Sequence, residues 1–436
     1  MHIFFWDYIK EKWAYAGFQK YFRNMGWMFA GKIFTLILSF FVSIYMARNL
    51  GVENFGTLNF VISFASIAGI SIFTINSILL RKLNHEPENT EKILGSAFII
   101  NIINALLTII TATVASLIFA NNQTTTILVF SFSTFAIFQT FSGTIDPYFQ
   151  AHAKIKKVTQ ANIITSIISA IVKIGLISFN VNIIYLLLSY VFDHFIAAIS
   201  YIYIYQKYIG KIFNWKIDKN TIKNFIVNSW PFTISAIATS IYIRADQIFL
   251  KLLLGSKAVG SYVVAVRFSE VWFIIPAVIC ASLLPAILNA QKTNQEIFFF
   301  RSKKMYSLLF YSSLLICAFI FISAPFIIKT LYGTDYIQSI SLLRIYVWSI
   351  IGVFISTALQ QFLLAQNKFK TILLLNVIGM TLSLILNSLF IPIWGIKGAA
   401  ITNIFAYTLP VIVILSLKDM KDQKLSFISA VFKPFS

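Results

Sequence analysis

The sequence predicts an all-α polytopic membrane protein with twelve transmembrane helices in two six-helix lobes, and three observations carry that prediction. The first is composition: 58% of the 436 residues are hydrophobic and 11% charged, where a soluble domain has about 45 to 50% apolar and about 25% charged residues. The second is that apolar runs of about 20 residues, enough to cross ~30 Å of hydrocarbon at ~1.5 Å per residue, recur along the whole chain. The third is an internal echo. Leu50-Gly51 and Phe55-Gly56 return as Leu254-Gly255 and Val259-Gly260 at an offset of 204. Ala151-His152-Ala153-Lys154 returns as Ala365-Gln366-Asn367-Lys368 at an offset of 214, followed by Lys156 and Lys370, then Asn162 and Asn376.

Taken in order, residues 1–23 mix aromatic side chains with Lys10, Lys12, Lys20 and Arg23 and lack an uninterrupted apolar core, so they read as an amphipathic interfacial segment and not as a cleaved signal. The expected spans are 25–47, 55–80, 94–119, 126–149, 158–179, 183–205, 226–250, 259–286, 306–328, 340–365, 371–391 and 398–417. Segments this long must satisfy their backbone groups internally in lipid, so helix overrides the strand preference of the Ile and Phe runs. The longest connection, 206–225, separates an N-terminal lobe (24–205) from a C-terminal lobe (226–417), and 418–436 forms a tail. Of the 35 Lys and Arg residues, 25 fall on one set of connections, five on the other and five within spans. Basic residues accumulate in cytoplasmic loops, so both termini and the 206–225 linker are expected in the cytoplasm.

The five intramembrane cations are Lys32, Lys173, Arg244, Arg267 and Arg344. A charge in hydrocarbon costs at least ~3 kcal/mol, so such residues are expected to face the protein interior or a wet cavity. Arg244 precedes Leu250, the end of its span, by six residues, and Arg267 follows Gly260 by seven. Both therefore lie roughly 9 to 10 Å inside the same membrane face. Two readings stand side by side: an anion-binding layer, or mutual neutralisation of Arg267 by Glu270 at i, i+3 and of Arg244 by Asp246 or a neighbour. Lys173 is a further anion-binding candidate, or the ion-pair partner of Asp193; Arg344 and Lys32 lie closer to span ends, where snorkelling competes. Asp193 and His194 are candidates for proton handling, although adjacent helical residues point about 100° apart.

Pro276, Pro325 and Pro410 are expected to kink their spans. Trp27, Tyr45, Tyr201, Tyr203 and Trp394 read as an interfacial belt, and Trp272 and Trp348 as sugar-stacking candidates. Other function classes find little support. Cys280 and Cys317 lie in apolar spans and suggest neither a disulfide framework nor a metal site. There is no phosphate loop and no HExxH, so neither a catalytic site nor a cofactor is expected. The net charge of +20 resides in membrane-flanking loops, which removes the nucleic-acid reading it would carry in a soluble chain.

Residues Met46 to Asn59, MARNLGVENFGTLN, carry a specific resemblance. A first helix ending in Ala-Arg-x-Leu-Gly-x-x-x-Phe-Gly resembles the polysaccharide-transporter family, the Wzx-type O-antigen and lipid-linked oligosaccharide flippases of the multidrug/oligosaccharidyl-lipid/polysaccharide exporter superfamily. Ile391-Pro392-Ile393-Trp394-Gly395-Ile396-Lys397-Gly398 resembles that family's turn between its last two helices, and Leu364-Ala365-Gln366-Asn367-Lys368 its turn before helix eleven. The likeness runs from about Phe22 to Leu417.

The resemblance implies a central cationic cavity that opens alternately to the cytoplasm and periplasm of a bacterial inner membrane. The implied substrate is an undecaprenyl-diphosphate-linked oligosaccharide, with membrane lipids, a polysaccharide polymerase and a chain-length regulator as partners. On that reading Arg244, Arg267, Lys173, Arg344 and Lys32 meet the diphosphate and glycan, while Asp193, His194, Asp246 and Glu270 serve ion coupling or charge pairing. Two departures bear on it. The related lipid II flippases concentrate cavity cations partly on the first helix, which here offers Lys32 alone away from its ends. The related drug exporters place a cation-binding acid there, and span one contains none. An ion-coupled multidrug exporter is the alternative; a membrane polysaccharide polymerase fits less well, because the longest external connection is about 12 residues.

Overall fold

Long apolar runs fold here into long helices. The computed structural model describes residues 16–68, 74–119, 123–152 and 154–432, with side chains from Gly26 onward. Most of the amphipathic segment expected over 1–23 lies outside these residues. The helices are α1 Ala16–Ala68, α2 Asn76–His85, α3 Thr90–Phe119, α4 Gln123–Ser133, α5 Phe135–Ala151, α6 Lys156–Ser178, α7 Ile183–Tyr208, α8 Lys219–Leu254, α9 Ser256–Glu270 and α10 Ile274–Thr293. They continue with α11 Gln295–Leu331, α12 Gln338–Tyr346, α13 Ser349–Ala365, α14 Phe369–Trp394, α15 Ile396–Leu415 and α16 Lys421–Phe432. No strand occurs among the described residues.

Among the described residues, eleven helical stretches are long and apolar enough to cross a membrane, against twelve expected. The difference is at the start, where α1 runs through both of the first two expected spans, broken at Gly51 with φ 74° and ψ 165°. A second elbow at Gly255 has φ 88° and ψ 178°, so the offset of 204 marks two equivalent backbone corners. Positive φ at these corners is the conformation glycine adopts without steric penalty. The other echo is equally concrete. His152 and Lys154 donate backbone N–H bonds to Tyr148 and Phe149, and Gln366 and Lys368 donate the same bonds to Phe362 and Leu363, all at 2.9 to 3.1 Å.

Other boundaries depart from the expected spans. Span two, expected over 55–80, is helical to Ala68, and a separate helix α2 then occupies 76–85, where a loop was expected from residue 81. Span eight is divided into α9 and α10 by a 3₁₀ turn at Val271–Phe273. Pro276 supplies the reason: it has no N–H for the Trp272 carbonyl, so the chain tightens one turn earlier. Pro325 and Pro410, by contrast, sit inside the uninterrupted helices α11 and α15.

The chain forms two compact units, Met1–Ser43 with Ser71–Trp230, and Ile44–Ile70 with Pro231–Ser436. The second leg of α1 thus groups with the C-terminal residues and not with the lobe 24–205 that the sequence suggested. Within the first unit, Leu79, Leu83, Leu94, Ile145, Phe149, Tyr205 and Phe225 form a buried core under α2, α3, α5 and α7. Within the second, a Cβ added at Gly56 would lie 1.9 Å from the Ser256 carbonyl, and one at Gly260 would lie 2.0 Å from the Val52 carbonyl. The two glycines are themselves 204 residues apart, so this crossing is reciprocal. The tail expected at 418–436 contains α16, packed on α11 through Tyr306–Gln423 and Ser307–Ala430 hydrogen bonds.

Candidate functional site: charged groups inside the spans

The second unit gathers a polar layer from α8, α9, α15 and the second leg of α1. Asp246 on α8 is buried. Its carboxylate accepts from the Gln247 N–H at 2.7 Å, from the Tyr262 hydroxyl and from the Asn403 amide at 3.0 Å. Asn403 also donates to the Tyr262 hydroxyl at 2.8 Å, which closes a ring of three side chains. These bonds offset the cost of burying a carboxylate and leave it no face toward a ligand.

Arg244 points elsewhere. Two residues along a helix are about 200° apart in direction, so Arg244 and Asp246 cannot serve the same face. The guanidinium of Arg244 instead meets Glu270 of α9 at 3.7 Å, with side chains 32% and 25% exposed. Glu270 is therefore committed to Arg244 and not to Arg267, three residues before it. Arg267 donates to the side-chain oxygen of Asn59 at 2.8 Å, on the second leg of α1. Four residues on, Ser63 donates to Gln247 at 2.6 Å, so this leg is held to the layer at two points. Both arginines are partly exposed and retain donors beyond these contacts. Trp272, on the 3₁₀ turn that follows α9, buries an Nε1–H that meets no protein acceptor.

The first unit holds a separate ion pair. Lys173 of α6 donates to Asp193 of α7 and to Ser169 at 2.8 Å, and its ammonium lies 3.8 Å from the Tyr190 ring centre. The pairing alternative for Lys173 is thus realised, with Asp193 keeping one buried oxygen unbonded. His194 turns away from Asp193 and packs against Phe135, ring centres 4.9 Å apart, as the 100° between neighbours requires. Arg344 donates to the Phe321 carbonyl at 3.2 Å and lies over the Phe321 ring, and Lys32 is exposed. Tyr201, expected in the interfacial belt, is buried and accepts from Asn162 at 3.1 Å; Trp348 packs beside Phe321.

Sequence reasoning missed Asn59, Gln247, Tyr262 and Asn403. Neutral amides and a tyrosine leave the charge inventory unchanged, yet an Asn in the middle of an apolar span was itself a signal, because an unpaired amide in lipid is costly.

Long apolar helices that recur along the chain define a multi-pass membrane protein. The polysaccharide biosynthesis protein family matches residues 21–291, more than half of the chain, and the chain belongs to that family. The MatE family matches residues 231–389. The capsular polysaccharide biosynthesis protein CapF of Staphylococcus aureus is 21% identical over 392 residues, covering 87% of this chain and 94% of its own. An inward-facing multidrug resistance MATE family transporter of the MOP superfamily superposes with TM-score 0.72 at 13% identity, over 92% of this chain and 96% of its own. The lipid II flippase MurJ in an inward closed conformation gives TM-score 0.66 at 16% identity, over 92% and 90%. The fold is that of the MOP superfamily.

Proposed function

We propose that the protein is a flippase that carries an undecaprenyl-diphosphate-linked oligosaccharide, the repeat unit of a surface polysaccharide, from the cytoplasmic to the periplasmic leaflet of a bacterial inner membrane. The observation that supports this most is the partly exposed Arg244–Glu270 pair beside Arg267, inside helices of a polysaccharide biosynthesis family member. Guanidinium keeps its charge at every physiological pH and presents a planar fork of donors that matches phosphate oxygens. Arg244 and Arg267 take the diphosphate, and the half-buried Trp272 ring stacks on the glycan. Lys173, Arg344 and Lys32 extend the cationic path, and the Lys173–Asp193 pair with His194 is the candidate for ion coupling.

Alternating access moves the substrate, with both termini in the cytoplasm, a topology that the 25 to five division of loop cations supports. A polymerase and a chain-length regulator receive the product. Deleting the gene tests this reading: the lipid-linked repeat unit should accumulate on the cytoplasmic leaflet. Accumulation on the periplasmic leaflet would place the protein after translocation.

The MatE match over 231–389 favours a second reading, an ion-coupled exporter of small cations. That reading calls for a net acidic cavity, and the same deletion strain should then become sensitive to cationic drugs with its glycan intermediates unchanged.

A further inference from the structure

A groove of about 490 Å³ lies in the first unit at the lysine-rich ends of its helices, between α3 and α7. Gly95, Phe98 and Ile99 of α3, Phe141 of α5, and Ile202 and Gln206 of α7 form its floor and walls; Ile212, Phe213, Trp215 and Ile217 form its rim. None of these residues belongs to the charged layers described above.

The rim is fixed in place. A Cβ at Gly95 would lie 2.3 Å from the Lys216 carbonyl, so the 211–217 strap lies directly on α3. Lys216 N–H donates to the Glu91 carbonyl at 3.2 Å, and the backbone of Asp218 exchanges bonds with the Ser96 hydroxyl at 3.1 and 3.3 Å. Trp215 donates to the Tyr205 hydroxyl at 3.0 Å and packs its ring edge against Phe98. Yet Phe213 is 92% exposed and Ile217 63%. A strap held so firmly that still presents Phe213 and Ile217 outward offers an apolar face suited to the membrane interface.

Two further features identify the occupant. The groove continues the exposed apolar stripes Ile103–Leu106–Ile110 on α3 and Phe195–Ile199 on α7, the surface these spans offer to lipid. Lys211 and Lys216 each adjoin rim residues in sequence, and residues 206–219 hold four lysines against one aspartate; of these lysines, Lys207 donates to the Tyr203 hydroxyl at 3.1 Å. The Lys216–Glu91 pair, 3.7 Å apart with side chains 69% and 48% exposed, binds weakly enough to leave the ammonium available. An apolar slot whose rim is flanked by lysines fits a chain with a phosphate at its end. A volume of about 490 Å³ is of the size of one acyl chain.

We propose that this groove binds an anionic phospholipid, one acyl chain lying between α3 and α7 under the strap and the phosphate held by Lys211 and Lys216. The test is native mass spectrometry of the full-length protein with phosphatidylglycerol, with phosphatidylcholine of the same chains, and with undecaprenyl phosphate as competitor. Wild type should retain phosphatidylglycerol on the order of tenfold better than phosphatidylcholine, and Lys211→Gln with Lys216→Gln should erase that preference. Ile202→Trp, which fills the groove, should lower retention of both lipids; the two exposed lysine substitutions carry the test if that variant fails to fold. Equal retention of the two lipids by wild type, undiminished phosphatidylglycerol on the lysine variant, or its displacement by an equal amount of undecaprenyl phosphate would each overturn the proposal.

Discussion

Arg244 and Glu270 face each other across α8 and α9 at 3.7 Å, and that pairing releases Arg267 to Asn59. One acid thus balances one of two arginines, and the second is held by a neutral amide. A neutral partner orients a guanidinium without cancelling its charge, which is what an anion site requires.

The pair sets the first prediction. Its partial exposure places its contribution between that of an exposed and a buried pair, about 1 to 2 kcal/mol. Arg244→Ala should lower membrane abundance as well as glycan export. Adding Glu270→Ala should restore abundance and leave export low. Recovery of both together would make Arg244 a neutralising partner and nothing more.

Asp246 is the opposite case, a carboxylate with every contact inside the protein. Asp246→Ala leaves the buried Tyr262 O–H without its acceptor, at a cost of about 1 to 3 kcal/mol, while Asn403 keeps its bonds to the Tyr262 hydroxyl and the Ala399 carbonyl. Thermal unfolding of the purified protein should show a clear loss of stability. An unshifted unfolding temperature would mean that water or another acceptor reaches the ring.

The reciprocal glycines make a third prediction. Gly56→Ala or Gly260→Ala puts a methyl within about 2 Å of a backbone carbonyl, which no side-chain rotation relieves. Either change should lower thermal stability, whereas Gly26→Ala, with nothing within 4 Å, should not. Equal tolerance at all three sites would contradict the crossing of the two helices.

A fourth concerns acid. Asp218 accepts from the Thr221 hydroxyl at 2.6 Å and the Thr221 N–H at 2.8 Å, at the start of α8. These bonds, the hydroxyl first, hold its carboxyl below the usual 3.8. A depressed folded-state pKa contributes stability that is complete above the unfolded pKa and is lost as pH falls through the folded one. Stability measured from pH 5 downward should therefore fall less steeply in Asp218→Ala than in wild type. Parallel curves would remove this contribution.

Much of the fold was legible because hydropathy over twenty residues is a strong constraint, and the offset of 204 located both Gly51 and Gly255 before their positive φ values were seen. Less legible was which residues share a face. The charges at 244, 246, 267 and 270 were evident, but their pairing depends on how α8, α9 and α1 are rotated against one another, which composition does not encode. The break before Pro276 was readable in principle from the missing N–H. The union of 44–70 with the C-terminal residues was not, since it rests on the close approach at Gly56 and Gly260 and on bonds such as Arg267–Asn59 and Ser63–Gln247 between residues far apart in sequence.

The central claim is that Arg244 and Arg267 bind the diphosphate during translocation, and purified protein in vesicles tests it directly. Vesicles loaded with a fluorescent undecaprenyl-diphosphate oligosaccharide would be followed by how fast the glycan becomes accessible to a membrane-impermeant glycosidase. At equal amounts of folded protein, Arg267→Ala and the Arg244→Ala, Glu270→Ala pair should each slow that exposure on the order of tenfold or more, with Arg267→Lys intermediate because charge survives without the planar fork. Wild-type rates in both alanine variants would contradict the account.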